Sequence, residues 1–222
     1  MSLNYEERLS DSPFVHKVGH FYTENDYAQV CAADVLWSML IVTHNGKTAC
    51  AVWGAETQSA LMNYPKDTEF LFIQFKLGGF MPHLPIHNLA NHGTLLPEAG
   101  HSQSFWLDSC AWQYPNYENA DTFVNRLAHE GLLVREPIVE DVMRNHLPQM
   151  PARTMRQRFL RATGLTRSYI DQLNRARQAA ALLESGVSIL DTVYQAGYAD
   201  QPHMTRSLKR LIGKTPAQMM PK

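Results

Sequence analysis

The residues of this chain best suited to a specific chemistry are arginines and glutamines gathered on two short segments. At 100° per residue, Met155, Phe159 and Ala162 form an apolar stripe within Arg153–Thr163, while Arg153, Gln157 and Arg161 point away and Arg156 lies at the edge. Gln201–Ile212 repeats the pattern. Met204, Leu208 and Leu211 share a stripe roughly 60° wide, and Arg206 lies opposite, flanked by Pro202, His203, Lys209 and Arg210. Arg and Gln carry forked hydrogen-bonding groups that match guanine and adenine edges in the major groove of DNA. An ordinary solvated helix face would also expose arginine, so the pattern alone leaves both readings open.

Other residue types point to less. His83, His87, His92 and His101 suggest a metal site, but their spacing follows no ligand pattern, and Pro82, Pro85 and Pro97 mark the region as loops. No metal and no cofactor is expected. Trp37, Trp53, Trp106, Trp112, Tyr114 and Tyr117 are the right material for an apolar ligand pocket and equally for ordinary core. Asp108, Ser109 and the histidines form no nucleophile arrangement, so the chain is not expected to be an enzyme. The three cysteines, Cys31, Cys50 and Cys110, are odd in number and far apart, which suits buried small residues better than a disulfide framework.

The elements that would position the two Arg-rich faces are clearly punctuated. Gly164 closes the first segment, and Thr166 can cap a long helix over about Arg167–Glu184 that Gly186 ends. Ser188-Ile189-Leu190-Asp191 has the Ser-x-x-acid form of a capping box and opens a short helix to about Ala196, broken by Gly197. Asp200 can cap Gln201–Ile212, Gly213 closes it, and Thr215-Pro216 opens a final turn. The long helix, at about 27 Å for 1.5 Å per residue, carries Ile170, Leu173, Ala176, Ala180 and Leu183 on one side. That length suits two reading helices set about one DNA turn, roughly 34 Å, apart on one face of a duplex.

Residues of about 30–115 read as β. Val35–Val42 and Thr48–Trp53 flank Asn45-Gly46, the dipeptide best suited to a type I′ hairpin, and Glu69–Phe75 is a further strand. A helix over about Asp121–Leu133 then leads to a boundary at Arg135-Glu136-Pro137. Charge divides at the same place: residues 1–136 hold 7 Lys/Arg against 15 Asp/Glu, a net of -8, and residues 137–222 hold 13 against 6, a net of +7. A basic C-terminal half beside an acidic N-terminal one suggests a polyanion that meets the second half alone. No run of the roughly 20 apolar residues that span a membrane occurs and no secretory leader is evident, so a cytoplasmic address is expected.

The C-terminal region resembles the DNA-binding domain of AraC/XylS-type regulators. The likeness rests on Arg153-Thr154-Met155-x-x-Arg158-Phe159, Ala162-Thr163-Gly164, Arg175-Ala176-Arg177, the stretch from Gly197 through Tyr198, Ala199, Asp200, Gln201, Pro202, His203, Met204 and Thr205 to Arg206, and Gly213-Lys214-Thr215-Pro216. It implies a seven-helix domain over 137–222 with two helix-turn-helix units, after a regulatory domain over 1–136. In that reading Arg153, Arg156, Gln157, Gln201, His203 and Arg206 face bases of double-stranded DNA, while Arg161, Lys209 and Arg210 meet phosphate. The implied fold class is α+β: an antiparallel barrel or sandwich, cupin-like, with a helix, then an all-α domain. A small-molecule effector, RNA polymerase and a second copy in a homodimer are the further partners such a regulator suggests. The first unit departs from the family pattern: its turn, Leu147-Pro148-Gln149-Met150-Pro151, has two prolines and no glycine, and Pro151 stands where a Ser or Thr cap is usual. The competing reading is a cupin-like metal- or ligand-binding protein with a degenerate, non-specific DNA-binding module.

Overall fold

The structure, a computed structural model, describes residues 4–100, 103–146 and 148–221, so His101 and Leu147 of the readings above lie outside the described residues. The N-terminal half contains strands β1 (Asn4–Leu9), β2 (Val15–Thr23), β3 (Tyr27–Cys31), β4 (Ser38–His44), β5 (Lys47–Trp53), β6 (Ala60–Tyr64) and β7 (Thr68–Phe75). These are followed by β8 (Gly79–Phe80), a 3-10 turn at Ile86–Asn88, β9 (Gly93–Leu96), β10 (Ser104–Leu107), β11 (Cys110–Gln113), helix α1 (Ala120–His129) and β12 (Val134–Arg135). Six strands form an antiparallel sheet in the order β1-β2-β7-β4-β5-β9, and the rest pair as the ribbons β3-β6, β8-β12 and β10-β11. The expected sheet-rich half is present, but its sheet is open at β1 and β9 instead of closing into a barrel.

The hairpin read from Asn45-Gly46 is there. Both residues have positive φ (51° and 72°), as a type I′ turn demands, and His44 pairs with Lys47 across the two-residue loop. Alternation then lays Val18, Ile73, Met39 and Val52 in one cross-strand row, all fully buried. Phe105 and Trp112 of the β10-β11 ribbon, with Phe123 and Leu127 of α1, are buried in the same core. Within it the Trp112 ring stands edge-on to Phe123, with centroids 5.8 Å apart. Trp37 stacks on Phe75 at 3.8 Å and donates from Nε1 to the Gly79 carbonyl at 2.6 Å.

The C-terminal half is helical: α2 (Pro137–Met143), α3 (Ala152–Thr163), α4 (Arg167–Glu184), α5 (Ile189–Gln195), α6 (Gln201–Leu211) and α7 (Pro216–Met219). That makes six described helices where the resemblance implies seven. The remaining α-helix, α1, belongs by its packing to the sheet, because Arg8 of β1 pairs with its Asp121 at 2.5 Å. All five residues read as the apolar stripe of α4 are buried, and Ala179 joins them. β12 and Glu136 are built into the N-terminal half, since Val134 pairs with Phe80 and the Glu136 amide donates to Gly78 at 2.9 Å. Buried side chains of the two halves form one continuous core.

Two outcomes follow. Leu173 is fully buried at the centre of α4, so Leu173→Ala is expected to destabilise the protein by about 2–5 kcal/mol. Because all four tryptophans precede residue 113 while most helix lies after 137, tryptophan fluorescence and far-UV dichroism monitor different halves. With a shared core their urea midpoints should coincide and move together in that variant. Cys50 is buried and its thiol is pushed up to about 12 by burial, whereas Cys110 is exposed. At pH 8 a disulfide reagent should label Cys110 at once and Cys50 only after unfolding.

Candidate nucleic-acid interface

Each reading segment is a helix whose start and end are fixed by local chemistry. The Asp200 carboxylate accepts from the His203 amide at 2.6 Å and so starts α6, and Pro202 occupies its first turn. Thr166 starts α4 in the same way, accepting from the Tyr169 amide at 3.2 Å. Ser188 accepts from the Asp191 amide at 3.2 Å, but the Asp191 carboxylate takes the Ser188 hydroxyl at 2.6 Å where a full capping box would take the backbone amide. Helix α3 begins at Pro151 without a side-chain cap, so the departure read in its turn is a real structural difference between the units. Its end is regular: Gly164, with φ at 72°, donates to the Leu160 carbonyl at 2.8 Å.

The two turns are held differently. Between α5 and α6, Tyr198 is buried and its hydroxyl sits 3.0 Å from Ser207 on α6, while its ring meets His203 edge-on at 5.2 Å and carries the Arg175 guanidinium at 5.8 Å. The link from α2 to α3 is longer and is tied from outside. Arg167 of α4 donates to the Val142 carbonyl and to Asn145 at 3.0 Å, and Arg158 of α3 makes two bonds to Glu136, at 2.6 and 3.0 Å. The carboxylate's charge and hydrogen bonds raise the pKa of Arg158, keeping it firmly charged.

Arg153, Arg156 and Gln157 of α3, and Gln201, His203 and Arg206 of α6, are all exposed. Apart from His203, which rests on Tyr198, their side chains make no hydrogen bond or ion pair among the described residues. Arg156 and His203 line one cleft of about 980 Å³ between α3, α4 and α6, floored by Met155, Phe159 and Leu165. His203, Arg206 and Arg210 share a smaller cleft of about 290 Å³ with Gln172 and Arg175 of α4. Gln172 and Arg175 were not singled out as contacts in the sequence, because their position beside α6 depends on how α4 crosses it. Arg210 donates to Gln172 at 3.2 Å. Arg161, read as a phosphate contact, lies with its guanidinium 5.6 Å from the centre of the Phe80 ring of the N-terminal half. Lys209 stays exposed at the far end of α6.

The other candidates do not converge. Among the described residues no three His, Cys, Asp or Glu side chains form a metal-holding group. His83 stands 4.0 Å from Asp108, and His92 rests on the Ala90 carbonyl. Of the six aromatics, Tyr114 and Tyr117 share a cleft of about 590 Å³ whose other walls include Glu6, His20, Thr43 and Glu69. Trp37 and Trp112 are core, Trp53 is tied to Glu56, and Trp106 is largely exposed.

Two short helix pairs, each offering an uncapped or aspartate-capped helix with an Arg-bearing outer face and joined by one 18-residue helix, define a double helix-turn-helix domain. Residues 149–221 match the family model described as "Helix-turn-helix domain". No curated protein matches the chain. Among solved structures, an apo variant of ToxT from Vibrio cholerae is 10% identical, covering 95% of this chain and 98% of that one at a TM-score of 0.38. Another crystal form of Vibrio cholerae ToxT is 12% identical, covering 100% and 99%, at 0.34. Among the described residues no helix is long and apolar enough to cross a membrane.

Removing the Asp200 cap tests how far α6 depends on it. Asp200→Ala should lower stability by about 1 kcal/mol in urea titrations, and Asp200→Asn, which keeps an acceptor oxygen, should recover most of the loss.

Proposed function

We propose that the chain is a transcription regulator that binds double-stranded DNA sequence-specifically through residues 137–222, with residues 1–136 as its sensing or oligomerisation half. The observation that carries this reading is the pairing of α3 and α6 across α4, with Arg153, Arg156, Gln157, Gln201, His203 and Arg206 exposed on their outer faces in the +7 half of the chain. Side chains that make no bond within the protein can meet base edges without first breaking one, and their forked donors give the match its specificity. Lys209 and Arg210 stand further along α6 and serve phosphate, which sets register without reading sequence. Arg161 serves the join to the N-terminal half in addition to, or in place of, phosphate. No catalytic activity is assigned, and the site of action is the cytoplasm.

The cleft beside Tyr114 and Tyr117 is the place in the N-terminal half that suits a small-molecule effector. Contact with RNA polymerase and pairing of two copies belong to the same reading. The uncapped start of α3 favours an unequal division of labour, in which α6 contributes most of the base discrimination and α3 less.

Duplexes selected from a random pool by the full chain provide the test. Arg206→Ala is expected to weaken binding to the selected sequence by about 1–3 kcal/mol and to relax preference at one position, whereas Lys209→Ala should weaken all sequences alike and reduce the salt slope by about 1. Unchanged affinity and base preference in the Arg206 variant would remove α6 from base reading.

A further inference from the structure

The last turn of α6 is completed by the N-terminal half. A helix leaves its final carbonyls without partners inside itself. Here the Leu208 carbonyl is taken by the amides of Ile212 and Gly213, at 2.8 and 3.1 Å. The next three are taken from outside. Ser59 donates its hydroxyl to the Lys209 carbonyl at 3.2 Å and its amide to the Arg210 carbonyl at 2.7 Å, and the Ala33 amide donates to the Leu211 carbonyl at 2.7 Å. Ser59 and Ala33 flank the β3-β6 ribbon, which therefore lies across the end of the helix. The fit is close: a Cβ on Gly213, two residues past α6, would come within 2.4 Å of Val30 Cγ1, and its φ of 86° favours glycine as well.

Helix α4 is fastened to the same place. Arg177 donates to the Ala33 carbonyl at 3.1 Å and lies 3.4 Å from the Asp34 carboxylate. Asp34 is itself fixed by Gln74 of β7 at 3.0 Å and by backbone bonds in both directions with Glu56. The first reading helix also rests on the N-terminal half, at a different point. Gly164, which closes α3, packs against the 3-10 turn so closely that a Cβ there would lie 3.3 Å from the Ile86 carbonyl, and Arg161 covers Phe80.

From these contacts we infer that Ala33 and Ser59 are positioning residues for DNA reading: by completing the last turn of α6 they fix the separation and angle of the two reading helices. The N-terminal half is then part of the reading machinery, and the spacing between half-sites is set by it as well as by α4. Two of the three donors are backbone amides and make the shorter bonds, so the N–H groups at 33 and 59 matter more than the Ser59 hydroxyl, which supplies the third. This inference rests on the DNA-reading function proposed above.

The test uses the full chain and duplexes selected by it from a random pool, with the distance between the two contacted segments then varied by one to three base pairs. Linked heads held at a fixed distance should make the wild-type chain favour one spacing by about tenfold or more, since the second contact is made at high effective concentration only when the geometry allows it. Ala33→Pro and Ser59→Pro each delete an amide donor. Both should flatten the spacing preference to about threefold or less while binding to a duplex carrying a single segment stays within about twofold of wild type. Ser59→Ala keeps the amide and should keep the preference. Should a proline variant fail to fold, Arg177→Gln, which releases α4 from Ala33 and Asp34 without touching α6, is expected to flatten the preference in the same way. Retention of the wild-type spacing preference in the proline or Arg177 variants would overturn the inference and leave the proposed function standing. A random pool that yields no preferred sequence with the wild-type chain would overturn both.

Discussion

Backbone carbonyls at the end of a helix must find donors, and in this protein the ones that matter most find them in the other half of the chain. Three carbonyls of α6 accept from Ser59 and Ala33, and the arrangement of everything else is consistent with that demand. The β3-β6 ribbon shares no backbone ladder with the main sheet, Asp34 is braced by Gln74 and Glu56 where it meets Arg177, and Gly213 leaves room for the approach of Val30. A hydrogen bond of this kind contributes only about 1 kcal/mol net, but leaving a buried carbonyl without a donor costs more than making the bond gains. Direction, more than strength, is what the three bonds supply.

Charge is divided along the same line. The N-terminal half is acidic and the C-terminal half basic, and where they meet, the carboxylates of Asp34 and Glu136 take Arg177 and Arg158. Those two arginines, though exposed, are turned to carboxylates of the N-terminal half. The arginines on the outer faces, Arg153, Arg156 and Arg206, meet no carboxylate among the described residues. Partition of the basic side chains into neutralised and unneutralised sets gives the outer surface its positive field without placing like charges at the join.

The C-terminal half was legible in the sequence because its signals are local. Thr166, Ser188 and Asp200 cap the helices they precede, Gly164 closes α3, and the bounds of α4 are those read from Thr166 and Gly186. The N-terminal half was legible only where a turn or an apolar run marked it. β4, β5 and β7 were found, but β1 and β2 were not, because β1, with Asn4, Glu6, Glu7 and Arg8, is a polar edge strand, and the alternation of β2 is interrupted by Gly19 beneath the Phe72 ring. The outward faces of α3 and α6 followed from 3.6-residue periodicity. The roles of Gln172, Arg175 and Arg161 did not, since each depends on a partner far away in the sequence: Arg210, Tyr198 and Phe80 respectively. The grip of Ser59 on α6 is made by its amide and its hydroxyl together, and nothing near it in the sequence marks a partner 150 residues away.

Helix α6 is thus divided between an exposed and a buried face. Gln201, His203 and Arg206 are exposed while Met204, Leu208 and Leu211 are buried, and the last turn is also held by backbone bonds to the N-terminal half. Changes at 201, 203 and 206 therefore alter no contact on which the fold rests, apart from the Tyr198 edge that His203 meets. Variation and constraint occupy opposite faces of one eleven-residue element, with the backbone bonds to the N-terminal half at its end. Under the proposed function, a lineage carrying this fold acquires new binding sequences by drift at three exposed positions while its architecture is inherited unchanged.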